Sequence, residues 1–322
     1  MLELLAIFAA GFWAGMINVV VGSGTLVTFP VLLLFGYPPL VANVSNNIGL
    51  VGGGITGTVG YRGELAGRSA VLPRLLPASA AGGVTGALLL LVLPAGAFAT
   101  IVPVLIVIGL VMVVWGPAIQ RRVARRRVAR TIAVPVPAGS AAPARDADQS
   151  GSARRATQSG TAAQSGTAAQ SGGAGRDGGA GRDGGDGRDG GDNPLEAAGS
   201  GVANRIAIVG GVYLLGIYGG YFGAAQGVLL VGLLSVLTTT GLQSITGLKN
   251  LLTTVVNALA AITFMIVSWH SVDWKVVLLI AVGAGLGGVA GARLGRRLSP
   301  VLMRTIIVIV GLAALTRLVF FG

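Results

Sequence analysis

Gly82-Gly83-Val84-Thr85-Gly86-Ala87-Leu88 lies inside an apolar stretch, and it returns as Gly287-Gly288-Val289-Ala290-Gly291-Ala292-Arg293. Upstream of each copy stands another matched pair, Ala42-Asn43-Val44-Ser45-Asn46-Asn47 and Thr246-Gly247-Leu248-Lys249-Asn250-Leu251. Further upstream, Gly22-Ser23-Gly24-Thr25 matches Gly223-Ala224-Ala225-Gln226-Gly227. Three landmarks repeated in one order mark a duplicated unit. Duplicated membrane units interrupted by glycine at corresponding places are the pattern of secondary transporters.

Composition places the chain in a bilayer. Its 322 residues are 53% hydrophobic and 11% charged, against about 25% charge in soluble domains. Apolar blocks cover roughly 2–36, 40–61, 69–93 and 98–116, then 203–237, 241–268, 275–296 and 301–320. The first block of each half is too long for one span. A straight helix over 2–36 would run about 50 Å, against a hydrocarbon core of about 30 Å. The glycines at 22–24 and 223–227 stand where a break is needed, and Pro30 and Pro38-Pro39 fit a kink and a stop. The expected fold is an all-α polytopic membrane protein. It has two homologous repeats of about four transmembrane helices, 1–117 and 202–322, with broken or re-entrant first helices. Four spans per half predict a parallel repeat about an axis along the membrane normal.

Residues 118–201 are a different polymer, with Gln-Ser-Gly-Thr-Ala-Ala repeats and an Arg-Asp-Gly-Gly tract. That composition cannot bury a core, so a disordered, dispensable linker is expected. Of 23 basic residues, 12 fall in this region, and the rest lie almost entirely near helix ends. The net charge of +12 is therefore read as a topology signal and not as a nucleic-acid footprint. The dense cluster at 121–130 predicts a cytoplasmic linker, and four spans would place the N-terminus there too, in a multi-pass cell-membrane protein. Arg293, Arg296, Arg297 and Arg304 conflict with that count, because they would flank an external loop unless a re-entrant segment shifts the second half.

Chemistry is sparse. There is no Cys and one His, His270, which leaves no basis for a metal centre or a cofactor. No His/Glu, Asp/Asp or Ser-His constellation falls within the spans, so no catalytic residues and no enzyme are expected. Outside the linker the acidic residues are Glu3, Glu64 and Asp273, all near predicted helix ends. The one charge inside a span is Lys249. A cation there needs a partner. A small anionic substrate would supply it; the alternative is a lysine that snorkels to the interface. Lys249, Thr253 and Asn257 share one helix face, with Asn250 beside them, and Asn43, Ser45 and Asn46 form the matching cluster. Helix–helix hydrogen bonding is the competing reading of these amides. Helices that restart inside the membrane expose N–H groups that attract anions, which adds Ser23, Thr25 and Gln226, with Asn18 one turn before the first break. The six glycines of the repeated heptads are assigned to close helix packing.

The run from Asn18 through Gly22-Ser23-Gly24-Thr25-Leu26 and Phe29-Pro30, then Ala42-Asn43-Val44-Ser45-Asn46 and Gly60-Tyr61-Arg62-Gly63-Glu64-Leu65, resembles the sulfite exporter TauE/SafE family. In the second half the resemblance rests on Gly219-Gly220-Tyr221-Phe222-Gly223, Leu248-Lys249-Asn250, Val272-Asp273-Trp274 and the second heptad. It implies an eight-span permease that moves sulfite or small organosulfur anions outward. The site would lie at the midplane between the repeats, and the partners would be the substrate and the lipid bilayer. Many members carry consecutive glycines at the first break, where Ser23 and Thr25 intrude here. A carrier of another small organic anion such as a carboxylate, and a non-transporting scaffold, are the rival readings. The sequence leaves open whether the chain forms a homo-oligomer.

Overall fold

The structure, a computed structural model, describes residues 1–65, 72–132, 202–238, 241–294 and 300–320. The expectations for 133–201, and for Arg296 and Arg297, lie outside the described residues. Among the described residues every regular element is a helix. The first half contains α1 (Leu2–Val20), α2 (Thr25–Leu34), α3 (Pro39–Gly60), a single turn α4 (Arg62–Leu65), α5 (Leu72–Val92) and α6 (Ala95–Ile132). The second contains α7 (Val202–Tyr221), α8 (Gln226–Leu237), α9 (Leu242–Val267), α10 (Trp274–Leu294) and α11 (Pro300–Phe320). Both long first blocks are broken where the glycines stand. α6 continues through the arginine cluster to Ile132. Helices α1, α5, α9 and α10 are long and apolar enough to cross a membrane.

The second piece of each first block returns instead of continuing. Gly24 lies against α1: a Cβ there would sit 2.5 Å from the Ala14 carbonyl oxygen and 3.1 Å from Asn18 Cβ. At the end of α2, the Tyr37 hydroxyl donates to Glu3 at 2.8 Å, which ties the turn to the start of α1. Burial, then the Glu3 hydrogen bond and charge, push the Tyr37 phenol up to about 12. The folded value lies above the unfolded one, so this contribution is complete below pH ~10 and fades as pH rises through ~12. Tyr37→Phe is expected to cost about 1 kcal/mol. The difference in melting temperature from wild type should be steady at neutral pH and shrink in strong alkali.

The glycines set helix direction. Gly11 and Gly15 of α1 face Ile280 and Ala284 of α10, and Gly49, Gly53 and Gly60 of α3 face Ile280, Ala284 and Ala292. Residue numbers rise together, so α1, α3 and α10 are parallel. Gly82 and Gly86 of α5 meet Gly216 and Tyr221 of α7. Ser79 donates to the Leu252 carbonyl, and Gly83 faces Val256 of α9. Thus α5, α7 and α9 are also parallel to one another. Between the two sets the order reverses. Thr254 of α9 meets Gly54 and Thr58 of α3, while Gly247 lies at Tyr61. Beyond the other end of α9, the Asp273 N–H donates to Ser45 near the start of α3.

Equivalent helices therefore run in opposite directions, and the repeats are inverted about an axis in the membrane plane. This corrects the parallel relation. α2 returns towards the start of α1, so the pair adds no net crossing, and the chain changes face through α3, α5 and α6 in the first half and α9, α10 and α11 in the second. It also corrects the placement of the N-terminus and linker on one cytoplasmic face. The start of α7, where the linker rejoins, is at the opposite end of the bundle from the start of α1. The conflict over the arginines disappears with it. Arg293 ends α10 on the face that carries Arg62 and Arg74, and Glu3 and Asp273 lie on the other. The chain has no cysteine, and Gly63 and His270 are exposed. Gly63→Cys and His270→Cys should react with an impermeant maleimide from opposite sides of sealed vesicles. Labelling of both from one side, as four spans per half require, would contradict the inverted arrangement.

The repeated heptads are packing surfaces, as their glycines suggest. A Cβ on Gly86 would lie 2.8 Å from the Tyr221 amide, and one on Gly291 3.0 Å from the Met16 carbonyl. These contacts bring α5 against α7 and α10 against α1, so each half is clamped to the first helix of the other.

Candidate functional site: the paired helix breaks

The two breaks are the same structure made twice. Gly22 has φ +90° and Gly223 has φ +75°, a region that disfavours any residue with a Cβ. At the first, the amides of Val21 and Gly22 both donate to the Ile17 carbonyl, at 2.7 and 3.0 Å. At the second, Phe222 and Gly223 both donate to Tyr218, at 3.0 and 3.1 Å. A helix that stops inside the membrane leaves its last carbonyls without intrahelical donors. Side chains from the opposite half meet them. Lys249 Nζ donates to the carbonyls of Asn18 at 2.8 Å and Val19 at 3.0 Å. Asn43 Nδ2 donates to the Tyr221 carbonyl at 2.9 Å. Each half's second long helix thus caps the other half's broken helix, once with a cation and once with an amide. A cation at a helix C-terminus is also favoured by the helix dipole.

The breaks touch. The Gly227 amide donates to the Gly22 carbonyl at 3.0 Å. A Cβ on Gly22 would sit 2.6 Å from Gly227 Cα, and one on Gly227 would sit 2.9 Å from Lys249 Cδ. Gly22, Gly227 and the Lys249 stem therefore form one contact at the pseudo-two-fold. Ser23, Gln226 and Asn250 are carried on the residues directly beside it, and all three are buried.

The anticipated residues fall into two groups. Lys249, with no exposed surface, sits with Asn250, Thr253 and the Asn18 carbonyl on the side where α9 begins. Thr253 turns its hydroxyl to the Lys249 carbonyl of its own helix at 2.9 Å. Asn257, two turns further along α9, is buried. Asn43, Ser45, Asn46 and Thr25 sit towards the start of α3. Asn46 accepts from Thr28 and donates to Thr25 at 3.5 Å. Ser45 accepts from the Asp273 amide. Because α3 and α9 are antiparallel and meet at Gly54 and Thr254, Ser45 and Lys249 are about 20 Å apart along the helix axes at 1.5 Å per residue. The structure does not bring this repeat-matched pair together. Lys249 does not snorkel either, since its ammonium is turned inward to the α1 carbonyls.

Four buried donor groups here have no hydrogen-bond partner: Ser23 Oγ, Gln226 Nε2, Asn250 Nδ2 and Tyr221 Oη. Orphaned buried donors are rare in folded proteins and call for an explanation. The ammonium of Lys249 has three protons, and two are committed to Asn18 and Val19. Several donors without acceptors, next to a cation, form an environment complementary to an oxyanion.

Sequence reasoning missed Tyr218, whose hydroxyl crosses the second break to the Ala224 carbonyl at 2.5 Å, and Thr28 beside Asn46. It also missed Ala225, which holds φ +60° without being glycine. Tyr218 occupies the position of Ile17 in the repeat, so the match carried no polar signal at that place.

Two inverted helical repeats with broken first helices meeting at a polar centre are an architecture that secondary transporters use. Comparison with known proteins agrees. The family model for the sulfite exporter TauE/SafE family matches residues 7–318, and the chain belongs to that family. A stretch of 109 residues is 38% identical to a probable membrane transporter protein of a Sinorhizobium species, covering 33% of this chain and 41% of the relative. Another of 59 residues is 39% identical to a probable membrane transporter protein of Haemophilus influenzae, covering 18% of this chain and 23% of that protein. The matches thus span less than half the length of these curated relatives. No solved structure matches.

Proposed function

We propose that the chain exports small sulfur-containing oxyanions, sulfite or short organosulfonates, and binds them where the two helix breaks meet. The supporting observation is the set of buried, unpartnered donors of Ser23, Gln226 and Asn250 beside the buried cation Lys249. Among the described residues the carboxylates are Glu3, Glu64 and Asp273, all at helix ends, and Lys249 Nζ is bonded to backbone carbonyls instead. A tetrahedral or pyramidal oxyanion presents several acceptors at once and can engage these donors together with the third ammonium proton. Two antiparallel breaks give each face of the membrane an equivalent approach, which suits alternating access about the fixed contact of Gly22 with Gly227. The positive-inside rule puts the arginine-bearing face, and with it the linker, in the cytoplasm and the N-terminus outside.

The test is efflux from proteoliposomes loaded with sulfite, sulfate, sulfoacetate or acetate. Saturable efflux of sulfite or sulfoacetate, with acetate much slower, is expected. Preference for acetate would favour the carboxylate reading, and no saturable flux of any anion would favour the scaffold. Replacing 135–198 with a short Gly/Ser segment should leave both flux and melting temperature unchanged, since that composition buries no apolar surface.

A further inference from the structure

We infer that the crossing of α5 and α7 holds an anionic phospholipid from the leaflet on the arginine-bearing face. The two helices are in backbone contact at one level and apart at another. A Cβ on Gly82 would lie 2.8 Å from Gly216 Cα, and one on Gly216 would lie 3.0 Å from the Ser79 carbonyl. Towards their N-termini the helices part, leaving a groove of about 600 Å³. Arg74 and Arg205 line it, Ile206, Val209 and Gly210 give it an apolar wall, and Tyr213 lies at the closed end. Arg74 and Arg205 stand in the first turns of α5 and α7, so two guanidinium groups and two helix N-termini share one membrane boundary. Both helices sit among membrane-crossing helices, so the apolar wall faces acyl chains. The charge at its mouth suits a phosphate headgroup.

The internal repeat supplies the comparison. Aligning Gly22 with Gly223 and Gly82 with Gly287 puts Leu4 opposite Arg205, Leu279 opposite Arg74 and Phe12 opposite Tyr213. Gly283 takes the place of Ala78. At that second crossing a Cβ on Gly283 would lie 2.5 Å from the Phe8 carbonyl, so α1 and α10 are closed together where α5 and α7 part. Where α1 and α10 carry Leu4 and Leu279, α7 and α5 thus carry Arg205 and Arg74, so the charge at the groove is particular to one of the two crossings.

Native mass spectrometry of the full chain, mixed with phosphatidylglycerol or phosphatidylcholine of identical acyl chains, tests this. Wild type should retain phosphatidylglycerol in preference. Arg74→Gln/Arg205→Gln should lower that retention about 30-fold, from about 1 kcal/mol per arginine near the membrane surface, with phosphatidylcholine unaffected. A Cβ on Gly210 meets nothing within 4 Å. Gly210→Leu should therefore fill the groove, spare both charges and the fold, and still lose the lipid. Equal retention of the two lipids by wild type would mean annular lipid only and would overturn the inference. So would a preference that survives either variant. A thermal shift from inorganic phosphate alone, equal to that from phosphatidylglycerol, would assign the arginines to a free anion and overturn the lipid.

Discussion

Lys249→Met is expected to abolish sulfite efflux and also to weaken the fold. Removing one partner of a buried charge interaction costs about 3–5 kcal/mol, which is about two to four orders of magnitude in rate if it falls on the transported complex. On sequence grounds the substitution would leave insertion intact or improve it, because a lysine within a span costs about 2.5–3.5 kcal/mol on translocon scales. The structure adds an opposing term. Methionine leaves the carbonyls of Asn18 and Val19 without their donor, at about 1–3 kcal/mol for each buried group left unpaired. The melting temperature should therefore fall even where the amount of inserted protein does not. Lys249→Arg should keep part of the cap and little of the transport, since a planar fork does not occupy the place of a compact ammonium at the Asn18 and Val19 carbonyls. Efflux and melting curves on equal amounts of protein separate the two effects. Wild-type efflux from Lys249→Met would reduce the lysine to a cap.

Gly22→Val is expected to give the largest loss of folded protein of any single change discussed. Valine at φ +90° is strained whatever the space, and here its Cβ would meet Gly227 Cα at 2.6 Å. Backbone strain and overpacking together should cost about 3–5 kcal/mol. Gly227→Val should behave alike, because its Cβ would lie 2.5 Å from Gly22 Cα. Gly232 in α8 is the control: a Cβ there meets nothing within 4 Å, so Gly232→Ala should be neutral or stabilise by up to about 1 kcal/mol. Yield and melting temperature of the three variants check this. A well-folded Gly22→Val would contradict the contact between the breaks.

Much of this architecture was legible in the residues. The matched glycines marked both breaks, and the apolar blocks agree with the helices to within a few residues, except that α6 runs on past 116 to Ile132. The direction of α2 was not legible. Thr25–Leu34 is apolar whether it completes a crossing or folds back, and what marks its return is made only in the fold, Gly24 against α1 and Tyr37 bonded to Glu3. That one ambiguity changed the parity of each half and reversed the relation between the repeats. The arginines at 293–304 already signalled it, as a conflict with the four-span count. Lys249 was legible as an intramembrane charge, but its partners were not. They are backbone carbonyls, freed by the geometry of a break and carrying no side-chain signature. Ser45 aligned with Lys249 in sequence, yet inversion carried the two to opposite sides of the crossing.

The central claim, that unpartnered donors at the meeting of the breaks receive the substrate, is tested most directly at Asn250. Its amide nitrogen is buried without a partner, so Asn250→Leu removes a donor the fold does not use. Sulfite efflux from vesicles holding equal amounts of wild-type and Asn250→Leu protein should fall at least tenfold, with the melting temperature unchanged or raised. Efflux equal to wild type would show that the substrate does not bind at the breaks.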